Sequence, residues 1–273
     1  MTDVEVLVLP DEHAVARAAA DAVASLVVRN PRSVLGLATG ASVLGLYEEL
    51  ARRVAAGELS LREVRGFLLD EYVGLAPDHP QAYRTVIATE LLSKVDIRPG
   101  AVHGPQAERS DVTTACADYE TRIAAAGGVD LQLLGIGTDG HVAFNEPGSS
   151  LASRTRIKTL TARTRADNAR FFDDARDVPR HVLTQGLGTI LDARHLLMLA
   201  TGERKAAAVA AMVEGPVSAR CPASVLQLHR YATVLLDPAA ASRLELLDYY
   251  REVAAAKPSW QRPGPPPRGA EGH

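Results

Sequence analysis

The chain has 273 residues, 47% of them hydrophobic and 23% charged, with a formal net charge of -3, which is enough apolar material to bury the core of one large domain. The mildly acidic balance argues against a general nucleic-acid surface, and no window approaches the roughly 18 apolar residues of a membrane span. Cys116 and Cys221 stand far apart with no CxxC or Cys/His spacing, so neither a disulfide framework nor a metal site is expected.

The start, Met1-Thr-Asp-Val-Glu-Val, lacks a basic segment followed by an apolar stretch, which sets the expectation of a soluble, cytoplasmic protein. A strand over 4–9 and a helix over 12–28 come first, then a strand over 33–38 and a helix over 41–56. Between the second pair lies Thr39-Gly40-Ala41-Ser42. Backbone N–H groups at such a helix start, with two hydroxyls beside them, can cradle a phosphate, although Thr and Ser are equally ordinary N-caps. The strand over 66–69 ends at Asp70, with Glu71 and Tyr72 beside it, and a helix follows over 81–94. A carboxylate there can take up and return a proton or simply cap a helix, and the residues alone leave both readings open.

A helix over 112–126 leads to an apolar strand over 130–136, after which Asp139, His141 and Glu146 place three ionisable groups within eight residues among Gly135, Gly137, Gly140 and Gly148. The glycines allow a tight turn at the carboxyl end of the strand, where open α/β sheets bind ligands. Two carboxylates flanking a histidine can fix its tautomer and orient its ring for proton transfer. Residues 151–180 hold eight Arg or Lys against four Asp, a basic patch suited to a small anion. The 160–182 stretch, with Phe171-Phe172 amid charges, is too polar for a core element and reads as an exposed helix or a mobile lid.

A strand over 196–200, then Thr201-Gly202-Glu203-Arg204-Lys205 opening a helix over 204–213, repeats the turn-and-helix theme with a cation in the first turn. A strand over 232–236 and an amphipathic helix over 242–255 complete the pattern. Beyond it, residues 257–273 contain five prolines and three glycines with little to bury, and read as a disordered tail to a domain spanning 1–256. Alternating strands and helices imply crossover connections, hence a single α/β domain with a mostly parallel central sheet flanked by helices.

The segment from Gly135 through Leu160 resembles the glucosamine-6-phosphate deaminase (glucosamine/galactosamine-6-phosphate isomerase) family. So do Leu69-Asp-Glu-Tyr-Val-Gly-Leu75, His79-Pro-Gln-Ala-Tyr83, Asn168-Ala-Arg-Phe-Phe172, Val178-Pro179 and Leu226-Gln-Leu-His229, in the same order, together covering about residues 4 to 250. The wider superfamily, which includes 6-phosphogluconolactonases, shares the Gly-rich turn with Asp-Gly-His but usually lacks the Phe144-Asn-Glu-Pro-Gly148 continuation.

The resemblance implies a Rossmann-like fold and conversion of glucosamine 6-phosphate to fructose 6-phosphate and ammonia with no cofactor. It implies that Asp70 is the base for the carbon-bound proton, that His141 assists ring opening, and that Asp139 and Glu146 hold His141. Thr39, Gly40, Ser42, Lys205 and the lid residue Arg170 would bind the substrate phosphate. The family's usual Pro-Thr-Gly-Gly/Ser-Thr-Pro pattern departs here at Ala38, Ala41 and Val43. Ser149, Ser150, Arg156 and Lys158, with Tyr249, match an allosteric site for N-acetylglucosamine 6-phosphate, which favours a homo-oligomer, hexamers being one family form. Two other readings compete. Lactone hydrolysis would use His141 without needing Asp70 as a carbon base, and a sugar-phosphate-sensing effector module would carry a helix-turn-helix and a degraded acid set.

Overall fold

A computed structural model describes residues 4–76, 78–169, 172 and 174–257. In chain order the elements are β1 (Val4–Val8), α1 (Glu12–Arg29), β2 (Val34–Leu37), α2 (Ala41–Ala55), β3 (Arg65–Leu68), β4 (Asp70–Tyr72), α3 (Tyr83–Ile87), β5 (Val102–His103) and α4 (Val112–Ala125). They continue with β6 (Leu131–Gly135), β7 (Arg156–Thr159), α5 (Ala162–Asn168), β8 (His181–Thr184), α6 (Leu187–Leu191), β9 (Leu196–Ala200), α7 (Ala206–Val213), β10 (Ala232–Leu236) and α8 (Leu247–Ala256).

Seven strands pair in parallel in the order β1-β10-β9-β6-β2-β3-β5. Every residue of β2, β9 and β10 is buried, and β2 and β9 are the unbroken apolar runs that a sheet covered on both faces requires. α1 shows the matching logic for a helix. Asp11 accepts the Ala14 amide at 2.7 Å to start it, and Val15, Ala16, Ala19, Ala20, Val23 and Val27 form its buried stripe. The winding reverses between β2 and β6: β3 and β5 lie to one side of that pair, β9, β10 and β1 to the other. Such a switch point opens a crevice at the carboxyl ends of the strands, and the turns after β2 and β6 both emerge there.

A second sheet, β4-β8-β7, is antiparallel throughout and was not foreseen from sequence. Its strands have three or four residues, and its pairings join segments far apart in the chain, so no local alternation announces them. It contributes Tyr72 and Val182 to a small hydrophobic cluster with Phe144 and Leu160, and Tyr83 packs against it. Other departures are smaller. The helix expected over 81–94 is α3 followed by a π-helical turn, Ala88–Leu92, and the last helix begins at Leu247 rather than 242. The helix over 204–213 opens as a 3₁₀ turn, Glu203–Lys205. The polar 160–182 stretch contributes α5, a 3₁₀ turn at Ala175–Asp177 and the start of β8. Arg170, Phe171 and the tail beyond Lys257 lie outside the described residues. Among the described residues no helix is long and apolar enough to cross a membrane.

Candidate active site

The loop after β6 is built by its glycines. Gly137 N donates to His141 O at 2.9 Å and Gly140 N to Gly137 O at 3.0 Å, while Gly140 takes φ +82°, a conformation open to glycine at little cost. The His141 imidazole lies directly over Gly137, where a Cβ would stand 2.1 Å from the ring Cε1. A Cβ on Gly140 would stand 2.6 Å from Cys221 Sγ. Asp139 Oδ1 lies 2.6 Å from His141 Nδ1 and accepts the His141 amide at 3.2 Å. The hydrogen bond with His141 is the main reason the Asp139 carboxyl is held down at about 2. An ionised acceptor at Nδ1 assigns the proton to that nitrogen and leaves Nε2 as the basic one.

Glu146 does not join this pair. It is buried, and its Oε1 accepts from Thr161 Oγ1 at 3.2 Å and from Thr164 Oγ1; among the described residues it makes no hydrogen bond to His141. The expectation that Glu146 grips His141 is therefore replaced by a link to α5. The intervening chain turns sharply: Val142 and Asn145 form an isolated bridge, Ala143 takes φ 52°, and Asn145 Nδ2 donates to the carbonyls of Val142 (3.0 Å) and Gln185 (2.9 Å). A non-glycine residue at positive φ is strained and persists only where surrounding contacts impose it.

Asp70 stands on β4, where the chain leaves the parallel sheet for the small one. It is 5% exposed, and burial, with the neighbouring Glu71 charge adding to it, pushes its carboxyl well above the usual carboxylate range. Its side chain has no hydrogen-bond partner among the described residues, and Tyr72, Tyr83 and Tyr119 feel its charge. Glu71 does a different job. Its oxygens accept the amides of Tyr72, Tyr83 and Arg84, each at 2.9 Å, and so tie down the start of α3. Of two adjacent buried acids, Glu71 is engaged with three backbone amides and the Arg84 side chain, whereas Asp70 makes no side-chain hydrogen bond among the described residues.

The turn after β2 opens α2 at Gly40, with φ +109° and no side-chain cap, and Thr39 and Ser42 flank it. A Cβ on Gly135 would lie 3.7 Å from Ser42 Oγ, so the turns after β2 and β6 adjoin. Lys205 Nζ donates to Ile136 O at 2.6 Å, bringing the helix start after β9 to the same place. Thr39, Gly40, Ser42, Lys205 and the His141 loop thus gather along the carboxyl edge of the parallel sheet.

Arg156 and Lys158 share one face of β7, with Ile157 exposed on the other. Ser149 is buried with its Oγ unpartnered among the described residues, and Ser150 Oγ accepts the Ala152 amide at 3.4 Å. Tyr249 is elsewhere. It is 59% exposed on α8, which packs on the edge strand β1, whereas β7 packs on β8 and α4. Sequence reading missed Thr161, Thr164, Tyr83 and Tyr119. Thr161 caps α5, its Oγ1 accepting the Thr164 amide at 3.1 Å, and nothing in the sequence pointed either threonine to Glu146.

Residues 10–235 match the family model described as glucosamine-6-phosphate isomerases/6-phosphogluconolactonase. A glucosamine-6-phosphate deaminase of Mycolicibacterium smegmatis is 62% identical over 258 residues, spanning 94% of this chain and 99% of the relative. One from Arthrobacter sp. is 60% identical over 257 residues with the same shares covered. Among solved structures, a monomeric glucosamine-6-phosphate deaminase superposes with a TM-score of 0.85 at 38% identity, over 88% of this chain and 99% of that one. A 6-phosphogluconolactonase from Thermotoga maritima reaches 0.68 at 22% identity, over 86% and 99%, a likeness of fold alone.

Proposed function

Since this chain belongs to the glucosamine-6-phosphate isomerase/6-phosphogluconolactonase family, we propose that its site converts glucosamine 6-phosphate and water to fructose 6-phosphate and ammonia. The observation that carries this reading is Asp70: a buried carboxyl with no protein hydrogen bond among the described residues, held well above its usual range. Lactone hydrolysis needs a base toward water, which His141 alone could be, and gives Asp70 nothing to do. Isomerisation needs a second base, toward carbon.

The substrate phosphate sits on the Thr39-Gly40-Ser42 turn with Lys205 and Arg170. His141 Nε2, left without the ring proton by the Asp139 contact at Nδ1, moves the anomeric hydroxyl proton to the ring oxygen and opens the pyranose. Asp70 takes the proton from C2 and returns one to C1, passing through an enolamine to a C2 imine. Water adds to that carbon and ammonia leaves, so the atoms balance with no external oxidant or reductant. Each step moves a proton between oxygen, nitrogen and an activated carbon, within reach of carboxylate and imidazole. Purified protein is therefore expected to release ammonia from glucosamine 6-phosphate at an unchanged rate in EDTA. Loss of activity on chelation contradicts this scheme, and hydrolysis of 6-phosphogluconolactone without ammonia release favours the lactonase.

Regulation forms part of the same reading. Ser149, Ser150, Arg156 and Lys158 follow Glu146 closely in the chain, so an anion bound there can bias the loop that carries His141. N-acetylglucosamine 6-phosphate is the proposed activator, and Tyr249, remote from β7 within one chain, would come from a second copy in a cytoplasmic homo-oligomer. Lys158→Glu is expected to abolish activation while sparing turnover at saturating substrate, because it sets a negative charge against the effector phosphate. The check is an effector titration at subsaturating substrate on wild type and variant. By linkage a substrate analogue must tighten effector binding by the same factor, and a flat wild-type response makes the cluster structural.

A further inference from the structure

Glu146 is where the loop bearing His141 meets α5. Its Oε1 accepts hydrogen bonds from Thr161 Oγ1 and Thr164 Oγ1, and the two hydroxyls lie 2.9 Å from each other. Thr161 Oγ1 also accepts the Thr164 amide at 3.1 Å, the cap of α5. One pair of hydroxyls therefore both starts the helix and holds the carboxylate. At the other end of α5, Asn168 Nδ2 donates to Tyr72 OH at 3.0 Å, and Tyr72 lies on β4 two residues from Asp70. The seven-residue helix is thus tied at one end to the His141 loop and at the other to the Asp70 strand. Neither Glu146 Oε2 nor His141 Nε2 has a protein hydrogen-bond partner among the described residues.

A carboxylate pinned through one oxygen presents the other in a single orientation, and small misplacements of acid–base groups are costly to rate. We infer that Thr161 and Thr164 are positioning residues for the reaction: acting through Glu146, they fix the direction of its second oxygen and make that direction depend on where α5 sits. This rests on the reading of Glu146 as a residue of the active site. The two threonines touch neither substrate nor the reacting atoms in this role. Their effect should fall on turnover rather than on substrate binding.

The test is steady-state ammonia release by the full chain for wild type, Thr164→Val, Thr164→Ser, Glu146→Gln and the Glu146→Gln/Thr164→Val pair. Thr164→Val keeps the side chain's shape and removes the hydroxyl, so kcat should fall about tenfold, the weight of a lost hydrogen bond to a charged group, with KM little changed. Thr164→Ser should restore turnover, and on the Glu146→Gln background Thr164→Val should cost nothing further, since the group it acts through is already disabled. Should Thr164→Val fail to fold, Thr164→Ala takes its place, because the Thr161 cap is retained. A raised KM with unchanged kcat, a serine variant as slow as the valine, or a loss in the double variant as large as in wild type each overturns the inference. If Glu146→Gln alone is as active as wild type, Glu146 is not a site residue, and the proposal falls with that premise rather than on its own account.

Discussion

Asp70→Asn is expected to lower turnover of glucosamine 6-phosphate by about two to four orders of magnitude, the usual weight of a general base, while leaving KM nearly unchanged. The amide keeps the shape of the carboxyl but cannot accept the C2 proton, so exchange of the C1 or C2 hydrogen with solvent should stop as well. Exchange at the wild-type rate would exclude Asp70 as the base. The same substitution carries a stability signature of opposite sign. Burial raises the Asp70 carboxyl in the folded protein above its unfolded value, so between those two values the folded state binds more protons, and stability falls as pH rises through that window. Asn bears no charge at any pH, so the variant should melt above wild type at neutral pH, the difference vanishing in acid below the unfolded carboxylate pKa of about 4. A variant that is slow and less stable at neutral pH would instead indicate a misfolded site. In wild type, activity should decline on acidification at a higher pH than an ordinary carboxylate would give, because the protonated acid is no base.

Gly137→Ala should be nearly as damaging without touching an ionisable group. A methyl there would meet the His141 ring at 2.1 Å, far inside van der Waals contact. The backbone offers no objection, since Gly137 is not among the residues at positive φ, and the partly exposed imidazole can swing aside. The collision is thus resolved by moving His141 off Asp139 rather than by unfolding. Displacement of a catalytic group by about 1 Å can cost on the order of a hundredfold, so kcat should fall by about that factor with the melting temperature close to wild type. Combining Gly137→Ala with His141→Gln should be no worse than His141→Gln alone, because both disable one group. A stability loss with full activity per folded molecule would mean that the ring does not depend on this glycine.

The alternation of strand and helix was legible in the sequence because buried parallel strands and amphipathic helices each have their own period, and burial on both faces of β9 leaves nothing but apolar residues to read. The Asp139–His141 contact was legible for a similar reason: two residues apart on a glycine-rich turn, the side chains have few other places to go. Asp70 was ambiguous by itself. Its meaning depends on burial, on the division of labour with Glu71, and on a switch point between β2 and β6 that exists only once distant strands are ordered. The sheet β4-β8-β7 escaped notice because a three-residue strand acquires its partner from across the chain, with no local pattern to record the register. Glu146 shows the limit most clearly. Five residues from His141, it looked like a partner for that ring, yet the bridge between Val142 and Asn145 turns the chain and delivers it to Thr161 and Thr164 on α5. Side-chain chemistry and periodicity were enough to read which residues are ionisable and which strands are buried. Which of the ionisable groups meet came from the folded chain, because direction in an irregular loop is set by hydrogen bonds to segments that sequence distance does not reveal.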